Sequence, residues 1–186
     1  MPRCKHCKDK FEVKYFNQKY HLDRDECIKA MVEANTAKLK KDQEAARKAD
    51  TKERKEKIKT HSNWLQDLQK VFNEFIRLRD KDQPCISCGT LANVKYDCGH
   101  FFSVGGFPNV RFDEDNCSKQ CSNYCNINLS ANIHNYRPRL IEKIGVERFE
   151  ALEFRARNKP SKLSIPEIKD LIIVYRNKIK TLKQTI

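Results

Sequence analysis

Nine cysteines stand in two groups, and that grouping constrains the fold of this chain more than any other feature. Cys4, Cys7 and Cys27 lie near the start; Cys85, Cys88, Cys98, Cys117, Cys121 and Cys125 lie beyond the middle. The opening residues, MPRCKHCKDKF, lack the apolar segment of a secretory signal, so a reducing, cytoplasmic setting is expected. In that setting clustered cysteines bind metal more often than they form disulfides.

The first group reads C-x2-C-x13-H-x5-C through Cys4, Cys7, His21 and Cys27. Two ligands with two residues between them sit on one tight knuckle, and the second pair returns after a hairpin-length insertion. A structural zinc ion wants four such ligands in a closed tetrahedron. Phe11, Tyr15 and Phe16 are the expected apolar packing of this metal-stapled unit, and His6 is expected to point elsewhere.

The second group opens with Cys85-x2-Cys88 and closes with Cys121-x3-Cys125. Cys117-x3-Cys121 is equally spaced, so spacing leaves open which two of the last three thiols bind. A zinc held by four thiolates has no open position and is structural. Any catalysis must therefore use other groups in the module: His100, Asp97, Asn116, Asn126, and further out Asn132 and His134. A neutral imidazole is a base able to deprotonate water. Asp carboxylates and Asn carbonyls suit a hard ion such as Mg²⁺ or Mn²⁺. Such a pairing fits phosphodiester hydrolysis.

Lys and Arg number 38 against 25 Asp and Glu, a formal net charge of +13, which favours a polyanionic partner such as DNA. No apolar run approaches the ~18 residues of a membrane span, so a membrane partner is not expected.

The expected fold class is α+β, a small zinc-stapled module embedded in a mostly helical chain. Residues 1–29 form the zinc-finger-like unit. Residues 30–61 are rich in Ala, Lys and Glu, with almost no large apolar side chains; they read as an exposed helix or partly disordered linker. Residues 62–83 form an amphipathic helix capped by Ser62 or Asn63, with Trp64, Leu68, Phe72 and Phe75 on one stripe. Residues 84–136 read as short strands and loops (CISCG, NVKYDCGHFF, FPNVRFDEDN), turning helical near Gln120. In 137–186 the chain is helical after Pro138. Gly145 is a C-cap there, and Ser164-x2-Glu167 is a capping box opening the last helix.

The ordered set CISCG, DCGHFFSVGGFPNVRFDEDN, QC…CN and LSAN resembles the NinG (Rap) family of phage recombination nucleases, within the His-Me finger or HNH superfamily. FNEFIRLRDKDQPCISCG, CKHC…NQKYHLDRDEC and NYRPRLIEKIGVERFEALE extend the likeness over most of the chain. The resemblance implies a ββα-metal endonuclease acting on Holliday junctions and D-loops in the host bacterial cytoplasm. In it His100 is the general base, Asn126 and Asp97 ligate the catalytic ion, Asn116 braces the loop, and Arg111 contacts phosphate. In many HNH enzymes an acidic ligand directly precedes the histidine; here that position is Gly99. A homodimer would suit the two symmetric strands of a junction. The other expectations for such a chain are a non-catalytic zinc-finger DNA-binding module and a recombination adaptor.

Overall fold

A computed structural model describes residues 1–158 and 162–184, in two compact units, Met1–Ile58 and Lys59–Ile186. Each is taken by itself.

In the first unit the chain turns sharply at the knuckle. The Cys4 N–H donates to the Asp9 carbonyl at 2.9 Å and the Lys8 N–H to the Cys4 carbonyl at 3.1 Å. Phe11 and Tyr20 pack against the cysteines, and Phe11 lies 5.1 Å from the His21 ring. Tyr15 and Phe16 do not join them: they are 66% and 100% exposed. A unit this small shelters only what touches its ligands, so the expected three-aromatic packing reduces to Phe11.

Helix α1, Asp25–Lys57, replaces the helix-or-disorder alternative for the linker with one continuous helix. Cys27 is its buried residue. Pairs four residues apart, Glu44–Lys48, Asp50–Arg54 and Glu53–Lys57, support it along the exposed surface. Asp25 and Glu26 at its start and Arg54, Lys55 and Lys57 at its end complement the helix dipole.

The second unit is mostly helical, with one two-stranded sheet. Helix α2, His61–Arg79, is capped by Thr60 rather than by Ser62 or Asn63. Thr60 Oγ1 accepts from the Asn63 N–H and the Asn63 side chain accepts from the Thr60 N–H, so Asn63 serves as the reciprocal partner. Strands β1, Tyr96–His100, and β2, Cys117–Cys121, pair antiparallel, with Tyr96 opposite Cys121 and His100 opposite Cys117. Helices α3, Ile133–Ile144, α4, Val146–Arg157, and α5, Ile165–Gln184, follow. Helix α3 begins five residues before Pro138, which lies inside it. Ser164 and Glu167 form the expected box, Ser164 N–H donating to the Glu167 carboxylate at 2.7 Å.

The extended segments are fewer than the sequence suggests. CISCG is a turn, because the Gly89 N–H bonds back to the Cys85 carbonyl at 2.8 Å with Gly89 at φ +73°. FPNV is a 3-10 turn with Pro108 at its first position. The chain stays extended through Cys121, past the point where helix was expected.

Residues paired across a hairpin share a face, and neighbours along a strand alternate. Cys98, His100 and Cys117 therefore share one face. It meets a core of Leu68, Phe72 and Phe75 from α2 and Ile168, Ile172, Tyr175 and Ile179 from α5. His61 bonds to the Leu163 carbonyl and Lys183 reaches Glu74, so α2 and α5 run in the same direction. Asp97, Gly99, Ser118 and Gln120 occupy the opposite face. Tyr136 of α3, from a second core with Leu140, Phe149 and Leu152, donates from its hydroxyl to the Gly99 carbonyl at 3.0 Å.

Candidate functional site

Cys4, Cys7, His21 and Cys27 hold their ligand atoms within 4.8 Å of one another. Cys7 Sγ lies 3.3 Å from His21 Nδ1. Burial pushes the Cys4 thiol up, but bonds from the His21, Cys7 and His6 backbone outweigh it and bring it to about 5. Burial and the neighbouring sulfurs push Cys27 up to about 11. Cys4 is thus held ready as a thiolate, and Cys27 is a thiol that must give up its proton on taking a cation. Arg24 donates to Asp9 at 2.6 Å and reaches Cys7 Sγ at 3.6 Å, bracing the ligands from outside. The donor set fits zinc, and His6 is exposed outside it.

Cys85, Cys88, Cys121 and Cys125 form the second such group, also within 4.8 Å. Of the thiols that spacing left open, Cys121 and Cys125 join the knuckle. Cys117 stands instead with Cys98 and His100. The extra residue in Cys121-x3-Cys125 is absorbed by a π-type turn, Ser122–Asn128, which carries one more residue per turn than an α-helix. The Cys121 N–H donates to Cys85 Sγ at 3.3 Å. Burial raises the Cys85 thiol, but this and the Cys88 and Ser87 backbone bonds lower it to about 7. Asn132 serves this cluster, its amide 3.7 Å from Cys125 Sγ. Ser130, Ala131 and Asn132 all sit at positive φ, strained for non-glycine residues. The Ala131 carbonyl, in return, accepts from Ser87 Oγ at 3.1 Å and Gln120 Nε2 at 2.5 Å.

Asn116 is fully buried and braces the loop between the strands. Its Oδ1 accepts from the Phe102 N–H at 2.7 Å, and its Nδ2 donates to the Phe102 and Val110 carbonyls at 3.0 and 2.9 Å. So engaged, it is a positioning residue. His100 is half-buried, its Nε2 3.1 Å from the Arg111 carbonyl. A carbonyl only accepts, so Nε2 carries the proton and Nδ1 keeps the lone pair. Burial lowers the His100 imidazole below its ordinary 6.5, with the Arg111 and Cys98 backbone bonds opposing in part. Arg111 donates from Nε to Gln69 Oε1 at 2.5 Å and stacks on Phe112. Among the described residues it pairs with no carboxylate. Asp113 and Asp115 go to Arg155, and Glu114 goes to Lys178.

Asn126 and Asp97 do come together, the amide donating to the carboxylate at 3.2 Å. They do so on the strand face opposite His100, since residues 97 and 100 differ by an odd number. A carboxylate and an amide side chain so placed are oxygen donors of the kind a hard divalent ion takes, with His100 on the other face of the strand. Gly99 offers no substitute for the acidic ligand. A Cβ there would lie 2.8 Å from Gln120 Cβ and 2.9 Å from its Cδ. Gly99→Ala is expected to cost about 1–3 kcal/mol by overpacking, read as a lower urea midpoint; an unchanged midpoint would show that the site gives way. His134 is exposed on α3.

Sequence reading missed Gln69, which aims the Arg111 side chain, and Asp80, which ties α2 to the sheet and α3. A polar residue inside the apolar stripe of α2 was the signal for the first.

The model of the family described as Bacteriophage Lambda NinG protein matches residues 1–185. The chain belongs to the NinG family. Protein ninG of Escherichia phage 933W is 33% identical over 98% of this chain and 94% of its own length. Protein ninG of Salmonella phage P22 is 39% identical over 71% of this chain and 64% of its own, and that of Escherichia phage lambda is 39% identical over 71% and 63%. No solved structure matches the chain. The matched residues cover both cysteine clusters and the hairpin of β1 and β2. Among the described residues no helix is long and apolar enough to cross a membrane.

Proposed function

We propose that this NinG-family chain is an HNH-type endonuclease that hydrolyses phosphodiesters of branched recombination DNA, with His100 as general base. The observation that carries the reading is the tethered imidazole. Its Nε2 proton is committed to the Arg111 carbonyl, so Nδ1 is left to take a proton from water. The lowered pKa keeps it neutral at pH 7. Arg111, without a carboxylate partner among the described residues, supplies a cation for the phosphate. Asn116 holds the loop that carries both. The net charge of +13 supplies the sequence-independent attraction, which salt weakens steeply. No step is assigned to an ion at Asp97 and Asn126.

The test is cleavage of a labelled four-way junction and a matched duplex in Mg²⁺ or Mn²⁺, wild type beside His100→Ala. The expected result is cutting near the branch by the wild type and a loss of about 10²–10⁴-fold in the variant, with junction binding kept. Cutting should hold level from pH 8 to pH 7. It should fall only below the ordinary 6.5 of histidine, where His100 gains its proton. Tight junction binding without cutting in either metal would overturn the nuclease. It would leave the non-catalytic zinc-stapled DNA binder.

A further inference from the structure

We propose that Cys98, His100 and Cys117 form a third, soft-metal site, and that a zinc ion bound there switches off the His100 base. The binding stands on the side-chain cluster itself; the switch rests on the nuclease reading above.

The three ligand atoms lie within 4.8 Å of one another, as closely grouped as those of the two four-ligand clusters. The hairpin register produces this arrangement. Cys98 and His100 are two apart on β1 and so share a face, and Cys117 on β2 is directly opposite His100. Cys98 and Cys117 are 6% and 0% exposed, while His100 reaches the surface and gives an ion its way in. Two thiolates balance the charge of a divalent zinc ion, and the imidazole is neutral. The complex is therefore electrically neutral and cheap to bury. The Arg111 carbonyl already fixes the ring as an outer partner does for a metal-bound histidine. Three protein ligands leave a fourth position, as in weaker, exchangeable sites, whereas the other two clusters each close with four.

The consequence follows from the single lone pair of a neutral imidazole. A ring whose one basic nitrogen is bound to metal, with a proton on the other, cannot take a proton from water. Zinc and catalysis thus compete for His100. On binding, two thiol protons leave to solvent and two Zn–S bonds and one Zn–N bond form, with no change of oxidation state.

The test uses the full chain with zinc as the probe. After dialysis to equilibrium against buffered Zn²⁺, elemental analysis corrected for the dialysate should count three zinc ions per wild-type chain and two in Cys98→Ser/Cys117→Ser. A wild type that stops at two overturns the site. If the double variant loses its helical circular dichroism, His100→Gln replaces it, and must likewise count two. In the cleavage assay with Mg²⁺, added zinc should slow the wild type at least tenfold, reversibly with chelator. The Cys98→Ser/Cys117→Ser chain should stay active in the same zinc. Equal inhibition of both overturns the switch, because zinc would then be acting elsewhere. A wild type that counts three ions but never cuts refutes the nuclease and leaves the metal site standing.

Discussion

Asp80→Ala is expected to destabilise the Lys59–Ile186 unit by about 3–5 kcal/mol, the cost of breaking a buried charge network. Its carboxylate accepts from Arg79 at 2.8 and 2.9 Å, from Lys143 at 2.7 Å and from the Lys119 backbone N–H at 3.1 Å. The side chain is 4% exposed, so water replaces little of this. Removing it leaves the Lys143 ammonium, itself pushed down by burial, without its counter-charge. Arg79 also donates to the Cys117 carbonyl at 2.7 Å, so the loss spreads into β2 beside His100. Burial raises the Asp80 carboxyl, but Arg79 and Lys143 outweigh it and hold it below its ordinary 3.8. Its contribution is therefore complete above pH 3.8 and is lost as pH falls through the lower folded value. Urea unfolding at pH 7 should show the full loss with an unchanged slope, and the gap between wild type and variant should close in strong acid. A deficit below about 1 kcal/mol at pH 7 would mean that the network only offsets its own desolvation.

Asp80 was illegible in the sequence because nothing local marks it. It follows Arg79 at the end of an amphipathic helix, where an acid normally faces water. Beyond the adjacent Arg79, its partners lie 39 and 63 positions away. The helices themselves were legible, because apolar spacing in α2 and α5 and the Ser164–Glu167 box are local signals. The cap of α2 was misplaced because Thr60, Ser62 and Asn63 are all good caps; only the reciprocal bond between Thr60 and Asn63 decides among them. Extended segments were overcounted at CISCG and FPNV, where a knuckle and a proline turn impose their own geometry.

The candidate site divides the same way. The first cluster follows from spacing; in the second, spacing left three thiols for two places, and the fold groups Cys121 and Cys125 with Cys85 and Cys88 through the π-type turn. The face of a strand on which a residue lands depends on pairing register, which spacing does not carry. That is why Asp97 and His100, three apart in sequence, look like partners and stand on opposite faces. It is also why Cys98, His100 and Cys117 read as unrelated and come together.

Stripping zinc from the N-terminal unit is expected to have the largest effect of all. Structural zinc contributes about 10–16 kcal/mol of apparent folding free energy at pH 7. Against that, the unit's buried side chains among the described residues are Cys4, Phe11, His21 and Cys27. Three of these four are the side chains that would hold the ion, and burying one Phe is worth only about 1.5–3 kcal/mol. Helix α1 does not fill the gap, since Cys27 is its buried residue and its exposed ion pairs add about 0.2–0.5 kcal/mol each. Without metal, residues before Asp25 keep only the Arg24–Asp9 pair, a few backbone bonds and Phe11, too little to hold them folded. Cys4→Ser should bind one zinc ion fewer than wild type and be cleaved rapidly by trypsin at Lys5, Lys8 and Lys10. Trp64 is the single tryptophan and belongs to the other unit, so its fluorescence should not change. Its constancy separates local loss of the knuckle from global unfolding. Full trypsin resistance in a Cys4→Ser chain lacking that ion would mean that the knuckle folds on its own packing, with the metal as a passenger.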